Sequence, residues 1–497
     1  MSAPASARIL FLALLGFNAV DEHSSRASCR RPALRDLPRE LSAVARSIAE
    51  RLRAAGFEAW LVGGAVRDLA LGIVPREIDM ATDAPPDAVQ ELFPRTLAVG
   101  KAFGTVIVQW NGMSVELTTF RAEEGYSDAR RPDAVSYGSS VEEDAARRDF
   151  TCNAMYLDPL RGDFRDPERG LADLRAGLLR CVGDARRRFR EDGLRLVRLA
   201  RFAARFDLEP APGTRAAALA ELDSLRGVSA ERLLAELEAI LCGDGPARAL
   251  RILRECGVLA RVLPALGARG PAGEEAQEQD VERRLAALAE LGRAPGAALG
   301  LALLFDPAPL APGGEEELAR AERDLAALRP ARALRSRVRA IWAMEREITA
   351  LVAGGRTRAE RLRAMRAPAW REALLVLGAE RRAAGLATAG LFELEAERLA
   401  LAPGELAPEP LVTARDLEPL GLARGPAWGA LLREAETRQL EGELATRAQA
   451  LRWLRAAVRA RDGGERGERA DPDDPDDPGD PDDQDGGKAS RKDQESG

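Results

Sequence analysis

Residues Leu61 to Thr82, LVGGAVRDLALGIVPREIDMAT, constrain this chain more than any other stretch. A short apolar run, Trp60-Leu61-Val62, ends at Gly63-Gly64, and Ala65-Val66-Arg67-Asp68-Leu69 begins a helix. A glycine turn before a helix lets backbone N–H groups and the positive end of the helix dipole face an anion. Ten residues beyond Arg67, the carboxylates Glu77 and Asp79 flank Ile78. On a strand, alternate side chains share a face, so the pair would project together. Two like charges side by side call for a cation, and hard oxygen donors suit Mg²⁺. A phosphate cradle next to a metal-carboxylate pair is apparatus for phosphoryl or nucleotidyl transfer. Alone, Gly-Gly marks only a tight turn and acid-x-acid only a solvated strand edge. Their order and spacing together carry the argument.

The chemistry is narrowed further by what is scarce. The only histidine is His23, which sets aside histidine-based hydrolysis and histidine metal clusters. The five cysteines, Cys29, Cys152, Cys181, Cys242 and Cys256, are odd in number and form no CxxC pair. A reducing cytoplasm is therefore expected, without a disulfide framework or zinc site. The apolar run Ile9 to Phe17 is too short to span a membrane, and no membrane partner is expected. The net charge of −7 is misleading: Asp471 to Asp485 holds nine Asp and no base, and without it the remainder carries about +2. The bases are nearly all arginine, with lysine only at Lys101, Lys488 and Lys492.

Along its length the chain changes character. Residues 1–40 read as an irregular N-terminal segment. Leu41 to Ala55 has helical spacing and stops at Gly56, a C-cap signal. Short strands and turns follow to about Leu157. Thr105 to Trp110 and Ser114 to Phe120 form an expected hairpin around Asn111-Gly112. After Gly170 almost everything to Ala460 is Ala/Leu/Arg/Glu-rich at helical spacing, broken by Pro/Gly patches. The expectation is an α+β protein: a small α/β head with a mixed sheet over 41–165, then a helical neck over 166–265, a helical body over 266–405 and a helical tail over 406–460. Residues 461–497 lack large apolar side chains and are expected to be disordered.

Two further segments carry chemistry. Arg147-Arg148-Asp149-Phe150-Thr151-Cys152-Asn153-Ala154-Met155 places two arginines beside an Asp and an Asn. Arginine forks suit phosphate, and the other two can bind sugar hydroxyls. In FREDGLRLVRLARF, Asp192, Arg195 and Arg198 recur three residues apart near one helix face, and Arg201 extends the row. A solvated arginine stripe is the plain reading of such a row.

These segments together resemble the class II CCA-adding tRNA nucleotidyltransferase and bacterial poly(A) polymerase family. The motifs are GG-x-VRD with an acid-x-acid pair, V-E-x-T-T-x-R at Val115 to Arg121, RRDFT-x-NAM, and ED-x-LR-x-x-R at Glu191 to Arg198. The S-x-ER-x-x-x-EL helix at Ser229 to Leu237 is similar to one that buttresses the template helix. Val412 to Leu454 more loosely resembles the tail that contacts tRNA. The resemblance covers about Leu41 to Leu454. It implies a Mg²⁺-dependent enzyme that adds CCA or A to the 3′ end of tRNA or another RNA from CTP and ATP. Glu77, Asp79 and Glu116 would be catalytic, with Glu77 and Asp79 holding metal. Gly63, Gly64, Arg67, Arg148, Asp149, Asn153, Asp192, Arg195, Arg198 and Arg201 would bind nucleotide, Asp192 and Arg195 by reading the base edge. The polar segment Glu124 to Asp133 looks like the family's flexible loop. The chain departs from the pattern at Glu77, where Asp is usual, and at Gly193, where Pro is usual and whose loss is expected to loosen the first helical turn. A poly(A) polymerase and a non-catalytic RNA-binding protein on a decayed head stand as alternatives. The oligomeric state is left open.

Overall fold

The computed structural model describes residues 29–97, 104–121, 140–263, 274–292, 294–307, 315–422 and 424–466. The expected flexible loop, the Ile9 to Phe17 run and the acidic tract lie outside these residues. The chain forms two units, one of residues 1–356 and 364–401, the other of 357–363 and 402–497.

The fold is α+β. In the first unit a seven-stranded mixed sheet is built from β1 (Trp60–Val62), β2 (Asp79–Thr82), β3 (Thr96–Leu97), β4 (Thr105–Trp110), β5 (Met113–Thr119), β6 (Tyr156–Leu157) and β7 (Phe164–Arg165). The spatial order is β3-β4-β5-β2-β1-β6-β7. Only β2 and β5 run parallel. The β4–β5 hairpin closes through Asn111 at φ 48° and Gly112 at φ 79°, the two left-handed residues that a two-residue turn demands. Ahead of the sheet, α1 (Arg39–Ala54) buries Leu41, Val44, Ala45, Ile48, Ala49 and Leu52, a single apolar stripe. It ends at Ala54, two residues before Gly56, which stands at φ 89°.

The sheet connects to helices α2 (Gly64–Ala70), α3 (Pro86–Leu92) and α4 (Val141–Ala146). Ser140 caps α4, its hydroxyl accepting from the Glu143 N–H at 3.2 Å. Trp60, Val62, Ala81, Phe120, Val141, Ala145 and Tyr156 pack in one core cluster of the head. Then come α5 (Gly170–Arg175), α6 (Ala185–Glu191), α7 (Leu194–Arg205), α8 (Pro212–Ala220), α9 (Ala230–Leu241) and α10 (Pro246–Glu255). Helix α7 packs against both α9 and α10. Ser229 stands before α9 as the spacing predicts, but its side chain makes no capping bond to the helix backbone.

Further along, α11 (Glu274–Leu291), α12 (Ala297–Leu304), α13 (Glu315–Ala327), α14 (Arg332–Ala353), α15 (Trp370–Ala383) and α16 (Ala389–Ala400) follow. Helices α12, α14 and α15 pack on one another, and Asp306, Glu345 and Glu380 are all buried. The second unit has its own core, in which Leu417, Leu431, Ala435, Ala450, Leu454 and Val458 pack between α17 (Pro426–Leu440) and α18 (Arg447–Arg466). Helix α18 continues to Arg466, past the boundary expected at 461.

Candidate active site

The site starts from the turn at Gly63. Its φ of 69° and ψ of −128° are open only to glycine. A Cβ there would stand 3.7 Å from Arg148 Nη1 and 3.9 Å from Asp79 Oδ2, so both groups face the turn. Asp79 opens β2, directly opposite Glu116 on β5. Glu77 does not share the strand with Asp79 as the alternation implies. Strand β1 ends at Val62, paired with Asp79, and the chain then turns into α2, leaving Glu77 no partner in β1. Glu77 sits instead on an exposed bend beside Asp79. Burial, then Glu116 and Glu77, push the Asp79 carboxyl up to about 6, against the pull of Arg148 and Arg67. Burial is the larger cause, and the two neighbouring carboxylates add to it. Among the described residues no group of three or more His, Cys, Asp or Glu is placed to hold a metal by itself. Mg²⁺ is more often bound by one or two carboxylates together with substrate phosphates, and Asp79 with Glu77 or Glu116 fits that donor set.

The arginines expected at phosphate are bound within the protein. Arg67 is 4% exposed. Its Nε and Nη2 donate to Asp68 at 3.0 and 2.6 Å, and its Nη1 to Asn153 Oδ1 at 2.7 Å. Its guanidinium also lies 4.1 Å from the centre of the Phe206 ring. Arg148 donates to Asp144 at 2.8 Å through Nη2 and to the Tyr156 hydroxyl at 3.0 Å through Nε. Burial would disfavour the charge on Arg148, but Asp144 and Tyr156 more than compensate. Burial alone would raise Asp144; Arg148 and Arg147 instead hold it at about 2.

The second predicted cluster joins the first through Asp149. One oxygen accepts from Asn153 Nδ2 at 2.9 Å and from the Phe150 N–H at 2.8 Å. The other accepts from Arg198 Nη2 at 2.8 Å. Arg198 also reaches Glu236 at 3.3 Å, and Arg201 lies 2.8 Å from the same carboxylate. Despite its burial, Asp149 is held down to about 2, chiefly by Arg198. Arg67, Asn153, Asp149, Arg198 and Arg201 thus stand in one network that joins α2, the Asp149 turn, α7 and α9.

At the start of α7, Asp192 Oδ1 accepts from the Leu194 N–H at 3.1 Å and Oδ2 from Arg232 Nη2 at 2.7 Å. Arg195 donates through Nη1 to Glu191 at 2.8 Å and the Arg188 carbonyl at 2.9 Å, and through Nη2 to the Arg147 carbonyl at 3.2 Å. Of its five N–H donors, Nε and one on Nη2 stay available. Gly193 does not loosen this turn. A Cβ there would overlap the Ser224 carbonyl and stand 2.8 Å from Leu225 N, so the helix start is pressed against the turn at Leu222–Gly227.

Sequence reasoning missed three carboxylates that hold the predicted arginines: Asp144, Glu191 and, as a direct partner, Glu236. The first two were within reach, since Asp144 stands three and four residues before Arg147 and Arg148, and Glu191 four before Arg195.

Comparison with known proteins places the chain in a family. A model described as "Poly A polymerase head domain" matches residues 59–180. One described as "Probable RNA and SrmB- binding site of polymerase A" matches 207–268. The CCA-adding enzyme of Geobacillus thermodenitrificans (strain NG80-2) is 44% identical over 223 residues, 45% of this chain and 55% of the relative. This match spans about half the length of that curated relative. The structure of the Bacillus stearothermophilus CCA-adding enzyme in complex with CTP superimposes with a TM-score of 0.65 at 30% identity, over 86% of this chain and all of that one. The Thermotoga maritima CCA-adding enzyme complexed with tRNA shares the fold at 18% identity, TM-score 0.58, over 85% of this chain and 97% of that one. The chain belongs to the class II family of CCA-adding enzymes and bacterial poly(A) polymerases. No helix among the described residues is long and apolar enough to cross a membrane.

Proposed function

We propose that this chain extends the 3′ end of tRNA with C, C and A, drawing on CTP and ATP, in the cytoplasm. The observation that carries the reading is the parallel β2–β5 pairing, which sets Asp79 opposite Glu116 beside the Gly63 turn. The 30%-identical relative solved with CTP supports the nucleotide class. Glu77, Asp79 and Glu116 would hold Mg²⁺, which when bound would activate the attacking oxygen by easing loss of its proton and would offset charge on the departing group. The 3′-oxygen of the RNA bonds to the α-phosphorus, the bond from that phosphorus to the β-phosphate oxygen breaks, and pyrophosphate leaves with the electron pair. The hydroxyl proton passes to solvent. Gly63 and Gly64 offer backbone N–H groups to the phosphates, with Arg67 and Arg148 behind them. Asp149 and Asn153 face the ribose. Asp192 accepts from the exocyclic amine shared by cytosine and adenine, and the donors left on Arg195 meet the neighbouring ring atom or carbonyl. Arg198 and Arg201 support them. The helices over 166–265, 266–405 and 406–460 would act as neck, body and tail against the RNA.

The test is product length on tRNA lacking its CCA end, with CTP and ATP supplied. The expected product is three nucleotides longer, and extension stops there. Long adenosine tails would favour the poly(A) polymerase reading, which the head-domain match also motivates. No pyrophosphate release with any RNA would overturn both.

A further inference from the structure

The last helix of the second unit carries an arginine stripe that no described acid balances. Helix α18 turns Ala450, Leu454 and Val458 into the core. Arg452, Arg455 and Arg459 recur at intervals of three and four residues, so they share one face. All three are exposed. Among the described residues none of them has a side-chain ion pair or hydrogen bond. Other arginines of this unit are balanced locally: Arg363 by Glu436, Arg424 by Glu418, Arg438 by Glu443 and Arg447 by Asp416. The opposite excess follows in the same unit. Five residues past the end of α18 begins the tract Asp471 to Asp485, outside the described residues, with nine Asp and no base. Pro472, Pro475, Pro478 and Pro481 stand at every third position, which bars helix and favours an extended chain.

We propose that the tract Asp471 to Asp485 lies along the Arg452, Arg455 and Arg459 stripe of its own chain and there competes with the phosphate backbone of RNA. The competition rests on the RNA-extending function proposed above; the docking does not. The reach is sufficient. Arg459 lies about 10.5 Å back from the end of α18 at the helical rise per residue. The five residues from Arg466 to Asp471 cover roughly 16 Å when extended, so the tract can turn back along the helix. The spacing matches as well. Arg452 and Arg459 stand about 10.5 Å apart along the helix axis, and an extended proline-rich chain repeats every third residue at about 9 Å. Asp474, Asp477, Asp480 and Asp483 recur at that interval. Successive acids on one side of the tract therefore meet successive turns of the stripe. The chemistry is that of a nucleic-acid strand. Carboxylates at a fixed interval on an extended backbone present repeated negative charge, and guanidinium forks pair with carboxylate or phosphate alike. Docking also relieves the mutual repulsion of nine like charges. RNA approaching this face has to displace the tract first.

The experiment compares the full chain, a chain ending at Arg466, and a full chain in which every Asp of the tract is changed to Asn. Melting curves show that each is folded. Exposed ion pairs are screened and add little to unfolding stability, so arginine reactivity reads the contact instead. Phenylglyoxal modifies accessible arginines, and mass spectrometry follows each position. In low salt the stripe of the full chain should react about threefold to tenfold more slowly than that of the truncated chain, the scale of a few exposed ion pairs. The Asn chain should react like the truncated one, and about 0.5 M salt should remove the difference. Arg335, exposed on α14, should react equally in all three. A tRNA lacking its CCA end should bind the truncated chain about threefold to tenfold more tightly than the full chain in low salt. That gain should vanish when Arg452→Gln, Arg455→Gln and Arg459→Gln are present in both. Equal stripe reactivity in the full and truncated chains would overturn the docking, as would protection that survives in the Asn chain. Protection that grows with protein concentration would assign the tract to a second copy and overturn the contact within one chain. Equal tRNA affinity would overturn the competition. A truncated chain that binds no tRNA would overturn the RNA-extending function itself, while the arginine rates would still decide the docking.

Discussion

Around Asp149 the chain buries arginines and carboxylates together; around Glu380 it buries carboxylates in excess. Asp149 faces Arg198, and Glu236 takes both Arg198 and Arg201. In the helical body Asp306, Glu345 and Glu380 are 8%, 6% and 6% exposed. Burial and the neighbouring Asp306 push the Glu380 carboxyl up to about 9, with Arg283 and Arg284 pulling the other way. Glu345 is pushed well above the carboxylate range by burial, Asp306 and Glu380, against Arg346. Arg284 gives little help, because it donates to Asp280 and to the carbonyls of Leu303, Leu304 and Asp306 at the end of α12. The same residue type therefore has opposite worth in the two places. Near Asp149 an acid neutralises a buried cation. Near Glu380 it is itself the burden, carried as a bound proton.

Asp79 stands between these cases and gives the largest expected effect. Burial and two neighbouring carboxylates work against its charge more than Arg148 and Arg67 favour it, so Asp79→Ala should leave the melting temperature unchanged or slightly higher. Nucleotide transfer should fall to background, and Glu77→Asp should keep or raise it. Near-normal turnover of Asp79→Ala with Mg²⁺ would sink the metal assignment. Next comes the balanced network. Asp149→Ala leaves Arg198 partly uncompensated in a buried setting and should cost about 3–5 kcal/mol in urea unfolding. A loss below ~1 kcal/mol would mean that the network is looser than its distances imply.

The base-reading pair offers a finer test. Asp192→Ala should relax selection against UTP and GTP by roughly tenfold to a hundredfold, the range of a charged hydrogen bond. Its Mg²⁺ dependence should not change. An equal loss with all four nucleotides would mean that Asp192 supports the fold through Arg232 and Leu194 rather than reading a base. In the body the sign reverses. Glu380→Gln should stabilise the protein at pH 8 by on the order of 1 kcal/mol. The folded chain keeps a proton on Glu380 that the unfolded chain releases near the ordinary value of 4.5. Stability from this group is therefore full at low pH and is lost as pH rises from about 4.5 toward 9. A melting series across that window should slope downward in wild type and less steeply in the variant. Equal slopes would remove the contrast. The smallest effect is expected from deleting residues 467–497, which contain no large apolar side chain. A melting temperature several degrees lower would show that this segment docks on the rest.

What was legible in the sequence was local. Asn111-Gly112 specified a hairpin because two left-handed residues between apolar runs admit little else. The stripe in α1 specified a helix with one buried face. The site residues were recognisable as a set, since Gly63, Asp79, Glu116, Arg148, Asp149 and Asp192 fall in ordered motifs. Their commitments were not. Arg67 meets Asn153 across 86 residues, and Arg198 meets Asp149 across 49. No periodicity announces such a contact, so the sequence does not show that these arginines are also bound within the protein. Glu77 was misplaced for a related reason: alternation describes a strand once it exists but does not say where its neighbour stops.

The contact at Gly193 bears on how this chain can drift. With Ser224 and Leu225 closed over it, every side chain is shut out of the position, proline included. Replacement of Gly193 by proline would first require the Leu222–Gly227 turn to move aside. The two segments are thus interlocked through inheritance: a change in one is tolerated only after a change in the other. Chimeras that exchange the Glu191–Arg198 motif between relatives should accordingly succeed only when residues 222–227 travel with it.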